Sequence, residues 1–203
     1  MSQIHTATIA FNEEGTPFSV EFDDVYFSNN NGLAESRYVF IDGNDLTQRW
    51  LTCSKLHIAE TGFGTGLNFF ATWLALIEAE TIAKCGKELS YTFTSFEKFP
   101  LSKEDLASTL NCWPELANFK NKFLDQYPNI PNQDIHMSFL NGRIQLNILI
   151  GDVNDRIISG INQLTIGSQI DAWYLDGFAP SKNPDMWTNE LFQNLATNSH
   201  TNT

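Results

Sequence analysis

The sequence is poor in basic residues. It has 12 Lys and Arg residues against 24 Asp and Glu residues, which gives a formal net charge of −12. Proteins that bind nucleic acid through their own surface usually carry a basic face. We therefore expect this chain to bind polyanions weakly, unless its charges are strongly segregated or another domain supplies the basic surface.

Cysteine and long apolar runs are also scarce. The three cysteines, Cys53, Cys85 and Cys112, are widely spaced and form neither a C-x-x-C motif nor a cluster with metal-ligand spacing. No apolar run approaches the roughly eighteen residues of a membrane span, and the first residues lack the basic and apolar regions of a signal peptide. We expect a cytoplasmic protein with no membrane contact and no metal site.

The most informative stretch that is present runs from Leu56 to Phe69. A short apolar run ends at Glu60, Gly62, Gly64 and Gly66 follow on alternate positions, and a long segment with helical apolar periodicity comes next. This order predicts a strand, a tight loop and a helix. Glycine lets a backbone turn sharply and approach a ligand closely, and the N–H groups of a helix N-terminus favour polar or anionic ligand groups.

The spacing of these glycines separates several classes of protein. A dinucleotide fingerprint is G-x-G-x-x-G, whereas Leu67 stands where its third glycine belongs, and the lysine of a phosphate-binding P-loop is missing. Glu60 would repel a pyrophosphate but suits a cationic ligand. The pattern E-x-G-x-G-x-G after a buried strand resembles motif I of the class I S-adenosylmethionine (SAM) methyltransferases. A glycine-rich turn without a ligand stays the alternative.

Three further predicted strands end near a carboxylate. Tyr91–Glu97 ends in Glu97, Arg143–Ile150 is followed by Asp152, and Ile170–Asp176 ends in Asp176. Ligands of open α/β sheets bind at the carboxyl ends of the strands, where an acidic residue ending the second strand binds ribose hydroxyls. The gap before Glu97 exceeds the usual distance of about twenty residues, which a long helix over 67–84 explains. Asp152 could equally well accept a hydrogen bond from an adenine amino group or serve as a helix N-cap. For Glu97, the alternative interpretation is a surface glutamate without a binding role.

The remaining elements follow from local signals. An N-terminal β-hairpin is predicted from alternating apolar residues, helices from caps and periodicity, and a second hairpin from Asn141-Gly142. Glu35–Phe40 is predicted as a short strand or the start of a helix. The predicted bounds are Ile4–Phe11 and Pro17–Phe22 for the first hairpin, Ile135–Leu140 and Arg143–Ile150 for the second, and Lys103–Leu110, Glu115–Tyr127 and Asn189–Ala196 for the helices.

Several runs of the chain are similar to one family. The sequence resembles the methyltransferase half of the bacterial bifunctional enzymes that modify the tRNA wobble uridine, the MnmC family. The resemblance spans nearly the whole chain, and the runs that carry it are Phe22–Ser28, Ser36–Asn44, Glu60–Phe69, Phe96–Leu101 and Leu175–Trp187.

The resemblance implies an α/β, Rossmann-like class I SAM-dependent methyltransferase fold with an N-terminal β-hairpin extension. Residues 1–55 would form the extension and a cover, and residues 56–203 the SAM-binding core. The full class I sheet has the strand order 3-2-1-4-5-7-6, whereas the sequence predicts four parallel strands. We therefore expect an incomplete sheet in a domain truncated at its C-terminal end.

The resemblance also implies a reaction. A methyl group would pass from SAM to the amine of 5-aminomethyl-2-thiouridine in tRNA and give 5-methylaminomethyl-2-thiouridine. In the bifunctional enzymes a C-terminal FAD oxidase domain makes that amine, and the sequence carries no oxidase motif, so FAD is not expected here. The expected partners are tRNA and a linked oxidase domain in the complete protein.

Individual roles follow from the resemblance as expectations. Asp176 would accept or orient the proton of the amine, Phe178 and Pro180 would wall the uridine pocket, and the loop Tyr26–Asn31 would fold over SAM. The expected SAM-binding residues are Glu60 at the ammonium, Gly62, Gly64 and Gly66 beneath the amino-acid part, Glu97 at the ribose and Asp152 at the adenine. Two other functions stay open: a nicotinamide-dependent oxidoreductase, which Leu67 and Glu60 disfavour, and a non-catalytic nucleoside-binding domain.

Overall fold

The computed structural model describes residues 4–28, 31–83, 88–157, 169–200 and 203. Of the cysteines within these ranges, Cys53 and Cys112 are free thiols, whereas Cys85 lies outside the described residues. Among the described helices, none combines the length and the hydropathy that a membrane crossing requires.

The N-terminal region forms a small antiparallel sheet. Its strands are β1 (Ile9–Phe11), β2 (Pro17–Ser19) and β3 (Asp24–Val25), in the order β1-β2-β3. The predicted hairpin is present with shorter arms, and β3 was not predicted, because a two-residue strand leaves no readable alternation in a sequence.

The central sheet has five strands in the order β6-β7-β5-β4-β8. The strands β4, β5, β7 and β8 run parallel, and β6 pairs with β7 antiparallel. The four parallel strands, counted along the chain, therefore lie in the order 3-2-1-4, which is the order expected for the first four strands of the class I fold. Their bounds are β4 (Lys55–Glu60), β5 (Ser90–Glu97), β6 (Ile135–Phe139), β7 (Ile144–Ile150) and β8 (Ala172–Tyr174).

Helices surround this sheet. The predicted helix after the glycine loop is confirmed, and so is Ser102 as an N-cap, since its Oγ accepts a hydrogen bond from the backbone N–H of Asp105 at 3.1 Å. The predicted helix over 115–127 is wrong in its bounds: a 3-10 turn, Pro114–Leu116, precedes a shorter helix. The helices are α1 (Gly32–Ser36), which continues into a π-helical turn (Arg37–Asp42), α2 (Leu46–Thr52), α3 (Leu67–Ala83), α4 (Lys103–Thr109), α5 (Ala117–Leu124), α6 (153–157) and α7 (Asn189–Thr197).

Aromatic side chains fill the larger core. Phe69 of α3 is fully buried, and its ring centroid lies 5.6 Å from that of Phe93 in β5 and 5.9 Å from that of Phe139 in β6. A second, smaller core on the other face of the sheet packs Leu191 and Leu195 of α7 against Ala59 of β4. Because α3 and α7 cover opposite faces of the sheet, the place left for a ligand is at the carboxyl ends of the parallel strands.

Candidate functional site

A cavity of about 810 Å³ lies at the carboxyl ends of the parallel strands. Its walls come from the glycine loop after β4, the residues that follow β5, β7 and β8, and the N-terminal segment. This volume falls within the range of roughly 300–1,000 Å³ that small-molecule sites occupy. The structure thus brings the predicted loop and strand ends together around one space.

The glycines of the loop have different surroundings. Gly62 and Gly64 line the cavity, and a Cβ added to Gly64, whose φ is +50°, would lie 3.3 Å from the ring of Tyr26. Gly66 does not line the cavity; it has a φ of +75°, and a Cβ there would lie 2.8 Å from the ring of Phe63. Gly66 is therefore required by the turn and by the packing of Phe63.

Glu97 holds the glycine loop. Its Oε2 accepts a hydrogen bond from the backbone N–H of Gly64 at 2.8 Å, and its Oε1 accepts one from the backbone N–H of Phe99 at 2.8 Å. Burial raises the pKa of Glu97, although these backbone N–H groups oppose the shift. Glu97 also lines the cavity.

Asp152 is the N-cap of α6, as one of its two predicted roles requires, and it also lines the cavity. Its Oδ1 accepts a hydrogen bond from the backbone N–H of Asn154 at 3.0 Å at the start of α6, and its side chain lines the cavity. Its Oδ2 lies 3.0 Å from the ammonium of Lys98. Burial alone would raise the pKa of Asp152, but the bonds from Lys98 and Asn154 outweigh it and lower the pKa below its usual value.

Asp176 follows β8 and lines the cavity. Its Oδ1 accepts a hydrogen bond from the backbone N–H of Gly177 at 2.8 Å, and its Oδ2 accepts one from the amide of Asn68 at 2.6 Å. Burial is the main reason that the pKa of Asp176 is raised, and the nearby Glu35 adds to the shift. A carboxylate with a raised pKa at a cavity wall is suited to taking up a proton near neutral pH.

Glu60 lies deeper than the sequence suggests. It is 1% exposed and is not among the residues that line the cavity. Its Oε2 accepts a hydrogen bond from the hydroxyl of Ser95 and its Oε1 one from the amide of Asn68, each at 2.8 Å. Asn68 therefore stands between Glu60 and the cavity. Sequence reasoning missed Asn68, and its only signal was a polar residue in the first turn of α3, beside the apolar Leu67, Phe69 and Phe70.

Phe178 joins the N-terminal segment to the loop after β8. Its ring stacks on Phe22, with centroids 4.6 Å apart, and meets Tyr26 edge-on at 5.4 Å. The ammonium of Lys182 lies 2.6 Å from the carboxylate of Asp23. Phe178 lines the cavity, whereas Pro180 is exposed and does not; its predicted contact with the substrate stays a prediction.

The charged residues among those that line the cavity are mostly acidic. Both lysines among them, Lys98 and Lys182, are already paired with a carboxylate. This balance favours a cationic ligand and disfavours a pyrophosphate. Within the described ranges, no three His, Cys, Asp or Glu side chains are arranged to hold a metal ion. The acidic residues that line the cavity are Glu21, Glu35, Glu97, Asp152, Asp176 and Asp185.

Two comparisons define the class of this protein. A family model described as S-adenosyl-L-methionine-dependent methyltransferase matches residues 114–203. The crystal structure of MnmC2 from Aquifex aeolicus superposes on this chain with a TM-score of 0.68 at 24% sequence identity. The superposition covers 97% of this chain and 57% of the MnmC2 chain. The chain therefore has the class I SAM-dependent methyltransferase fold. This finding supports the methyltransferase interpretation over the nicotinamide alternative.

Sequence relatives narrow the class further. The chain is 47% identical over 203 residues to the tRNA 5-methylaminomethyl-2-thiouridine biosynthesis bifunctional protein MnmC of Aeromonas salmonicida. It is 48% identical over 201 residues to the protein of the same name in Vibrio cholerae. Each alignment covers 97% of this chain, and the chain spans 30% and 29% of the length of these relatives. The chain is thus similar to less than one third of these MnmC proteins.

Proposed function

We propose that this chain is a SAM-dependent methyltransferase domain that methylates the exocyclic amine of 5-aminomethyl-2-thiouridine at the tRNA wobble position. The product is 5-methylaminomethyl-2-thiouridine, the nucleoside in the name of the relatives. The observation that carries the proposal is the acidic cavity between the glycine loop and Asp176.

The cavity fits SAM in size and charge. SAM supplies a methyl group made electrophilic by a sulfonium, so a wall of carboxylates suits its positive charge. We assign Gly62 and Gly64 to its amino-acid part, Glu97 to the ribose hydroxyls and Asp152 to the adenine amino group. Glu60 acts on the ammonium group through Asn68, and Gly66 serves the shape of the loop.

Asp176 prepares the acceptor amine. An alkylamine is mostly protonated at neutral pH, and only the neutral form has a free lone pair. The carboxylate of Asp176, held by Gly177 and Asn68, accepts or orients the proton of the amine. Positioning of the amine in a cavity that excludes water contributes the rest of the acceleration.

The substrate enters beside Phe178, whose ring forms a wall for the uridine base. Residues 1–55 cover the cavity, and residues 56–203 form the binding core. Because the chain is acidic, we assign most of the affinity for tRNA to a basic surface elsewhere in the complete protein, such as a linked FAD oxidase domain. Such an enzyme works in the cytoplasm, where its tRNA substrate is.

Methyl transfer to tRNA tests the proposal. The full chain is incubated with isotope-labelled SAM and with tRNA from a strain that lacks this methylation, and the digested nucleosides are analysed by mass spectrometry. We expect labelled 5-methylaminomethyl-2-thiouridine. Binding of SAM without any methylated nucleoside would favour the non-catalytic nucleoside-binding domain, and a fluorescence response to NADH but not to SAM would favour the oxidoreductase.

A further inference from the structure

The side chain of Asn68 connects the two buried carboxylates of the site. It lies in the first turn of α3 and is 6% exposed. Its Nδ2 donates one hydrogen bond to Oε1 of Glu60 at 2.8 Å and another to Oδ2 of Asp176 at 2.6 Å. Both amide hydrogens are thereby used, one on each carboxylate.

The orientation of this amide is fixed by its partners. Carboxyl oxygens accept hydrogen bonds in either protonation state, and the NH₂ group of Asn68 has one hydrogen for Glu60 and one for Asp176. On its other side, Oδ1 of Asn68 accepts a hydrogen bond from the hydroxyl of Ser36, a buried residue of α1. Three elements, β4, α1 and the residue after β8, therefore meet at one side chain.

We propose that Asn68 is a positioning residue, which separates the carboxylates of Glu60 and Asp176 and holds Asp176 ionised and aimed at the acceptor amine. The inference rests on the proposed function, because it assigns to Asp176 the proton of that amine. Asn68 acts through Asp176 and exchanges no proton itself.

The need for such a residue follows from the charges around Asp176. The titratable groups that face this pair are Glu35 from α1 and Glu97 at the end of β5, both acidic, and Tyr174 of β8, which lies near Glu60. The described lysines of the cavity are paired elsewhere, Lys98 with Asp152 and Lys182 with Asp23. Two buried carboxylates without a donor between them share one proton. Loss of the hydrogen bond from Asn68, which lowers the pKa of Asp176, would raise that pKa further and leave less of Asp176 ionised to take a proton from the amine.

The pH dependence of kcat tests this role. In Asn68→Ala we expect kcat at pH 7 to fall at least about tenfold and the rising limb of the profile to move at least about one pH unit upward, with recovery toward wild type by about pH 9. Ser36→Ala is the matched control, because it removes the third hydrogen bond of the Asn68 amide and keeps both bonds to the carboxylates. The pH profile of kcat in this variant should stay within about half a pH unit of that of the wild type. A merely structural role would lower kcat equally at every pH, which would overturn the proposal.

A second measurement keeps this inference separate from the proposed function. The carboxyl group of Asp176 is titrated by NMR in the full chain labelled with ¹³C-aspartate, with Asp176→Asn to assign its signal. We expect Asp176 to titrate at higher pH in Asn68→Ala than in wild type. An unchanged titration refutes the role of Asn68 even if the tRNA is methylated, whereas an inactive wild type with the expected titration refutes the proposed function alone. If Asn68→Ala does not fold, Asn68→Ser, which offers one donor, should show the same direction of change.

Discussion

The carboxylate of Glu97 and the backbone N–H of Gly64 are joined by a hydrogen bond of 2.8 Å. Glu97 ends β5 and Gly64 lies in the loop after β4, so the bond ties the end of the second parallel strand to the loop that leaves the first. The residue predicted to bind the ribose therefore also fixes the loop that is predicted to lie beneath the ligand.

Replacing Glu97 with Gln tests this double role. Glutamine keeps the shape of the side chain but directs an NH₂ group at one of the two backbone N–H groups of Gly64 and Phe99. We expect the affinity for SAM to fall by about tenfold to a hundredfold, or about 1.4–2.7 kcal/mol, as measured by calorimetry. Glu104→Gln, on the exposed side of α4, is the control, and an unchanged affinity in Glu97→Gln would remove Glu97 from the site.

Asp176→Asn separates binding from chemistry. The substitution keeps the size of the side chain and removes the group that we propose takes the proton. We expect turnover to be lost while the affinity for SAM changes by less than about tenfold, or about 1.4 kcal/mol. Steady-state kinetics and calorimetry on the same preparations measure the two quantities. Asp155→Asn, at an exposed position of α6, should behave as wild type, and full activity in Asp176→Asn would exclude Asp176 from the mechanism.

Gly66→Ala should destabilise the fold more than Gly15→Ala. Both glycines have a positive φ, +75° and +79°, but a Cβ at Gly66 meets the ring of Phe63 at 2.8 Å, whereas nothing lies within 4 Å at Gly15. The left-handed conformation alone costs about 1–2 kcal/mol for an L-residue, and forcing an extra group into a packed site costs about 1–3 kcal/mol more. Urea unfolding of both variants measures the difference. Equal losses of unfolding free energy in the two variants would mean that the ring of Phe63 moves away from the new Cβ without an energetic cost.

Glu60→Gln should change how stability depends on pH. Burial, and then the nearby Asp176, raise the pKa of Glu60, while Asn68 and Ser95 oppose the shift. The folded state therefore binds this proton more tightly than the unfolded chain does, so the stability of the wild type should rise as pH falls through the folded pKa toward the usual pKa of glutamate. Glutamine lacks this proton equilibrium, so the difference in unfolding free energy between the two proteins should move in favour of the wild type as the pH falls through the folded pKa of Glu60. Parallel curves from urea unfolding would show that Glu60 titrates normally.

Phe178→Ala should loosen the N-terminal segment. The substitution removes the ring that contacts Phe22 and Tyr26, so chymotrypsin should cleave within residues 4–28 faster than in the wild type. Phe192→Ala, which removes a ring that is 39% exposed on α7, is the control. If both variants are cleaved as slowly as the wild type, the contacts of Phe178 do not hold this segment in place.

Several elements were predictable because their signals are local. Apolar periodicity and three alternate glycines predict β4, the loop and α3 within one or two residues of their observed bounds. Asn141-Gly142 predicts the turn between β6 and β7, where Leu140, Asn141 and Gly142 all have positive φ. The same locality explains the error over 115–127, since periodicity alone does not show where a 3-10 turn ends and an α-helix begins.

The sequence by itself determined the strand–loop–helix unit, the parallel strand ends and the carboxylates that follow them, because each depends on neighbours along the chain. Only the tertiary structure decided which of these groups face one another. It buried Glu60 behind Asn68, left Pro180 at the surface, and placed Phe22 and Tyr26 on Phe178. Asn68 and Asp176 are far apart in sequence and meet only because β8 pairs with β4. No local sequence pattern predicts that these two residues are close in space, since their separation is set by the order of strands in the sheet.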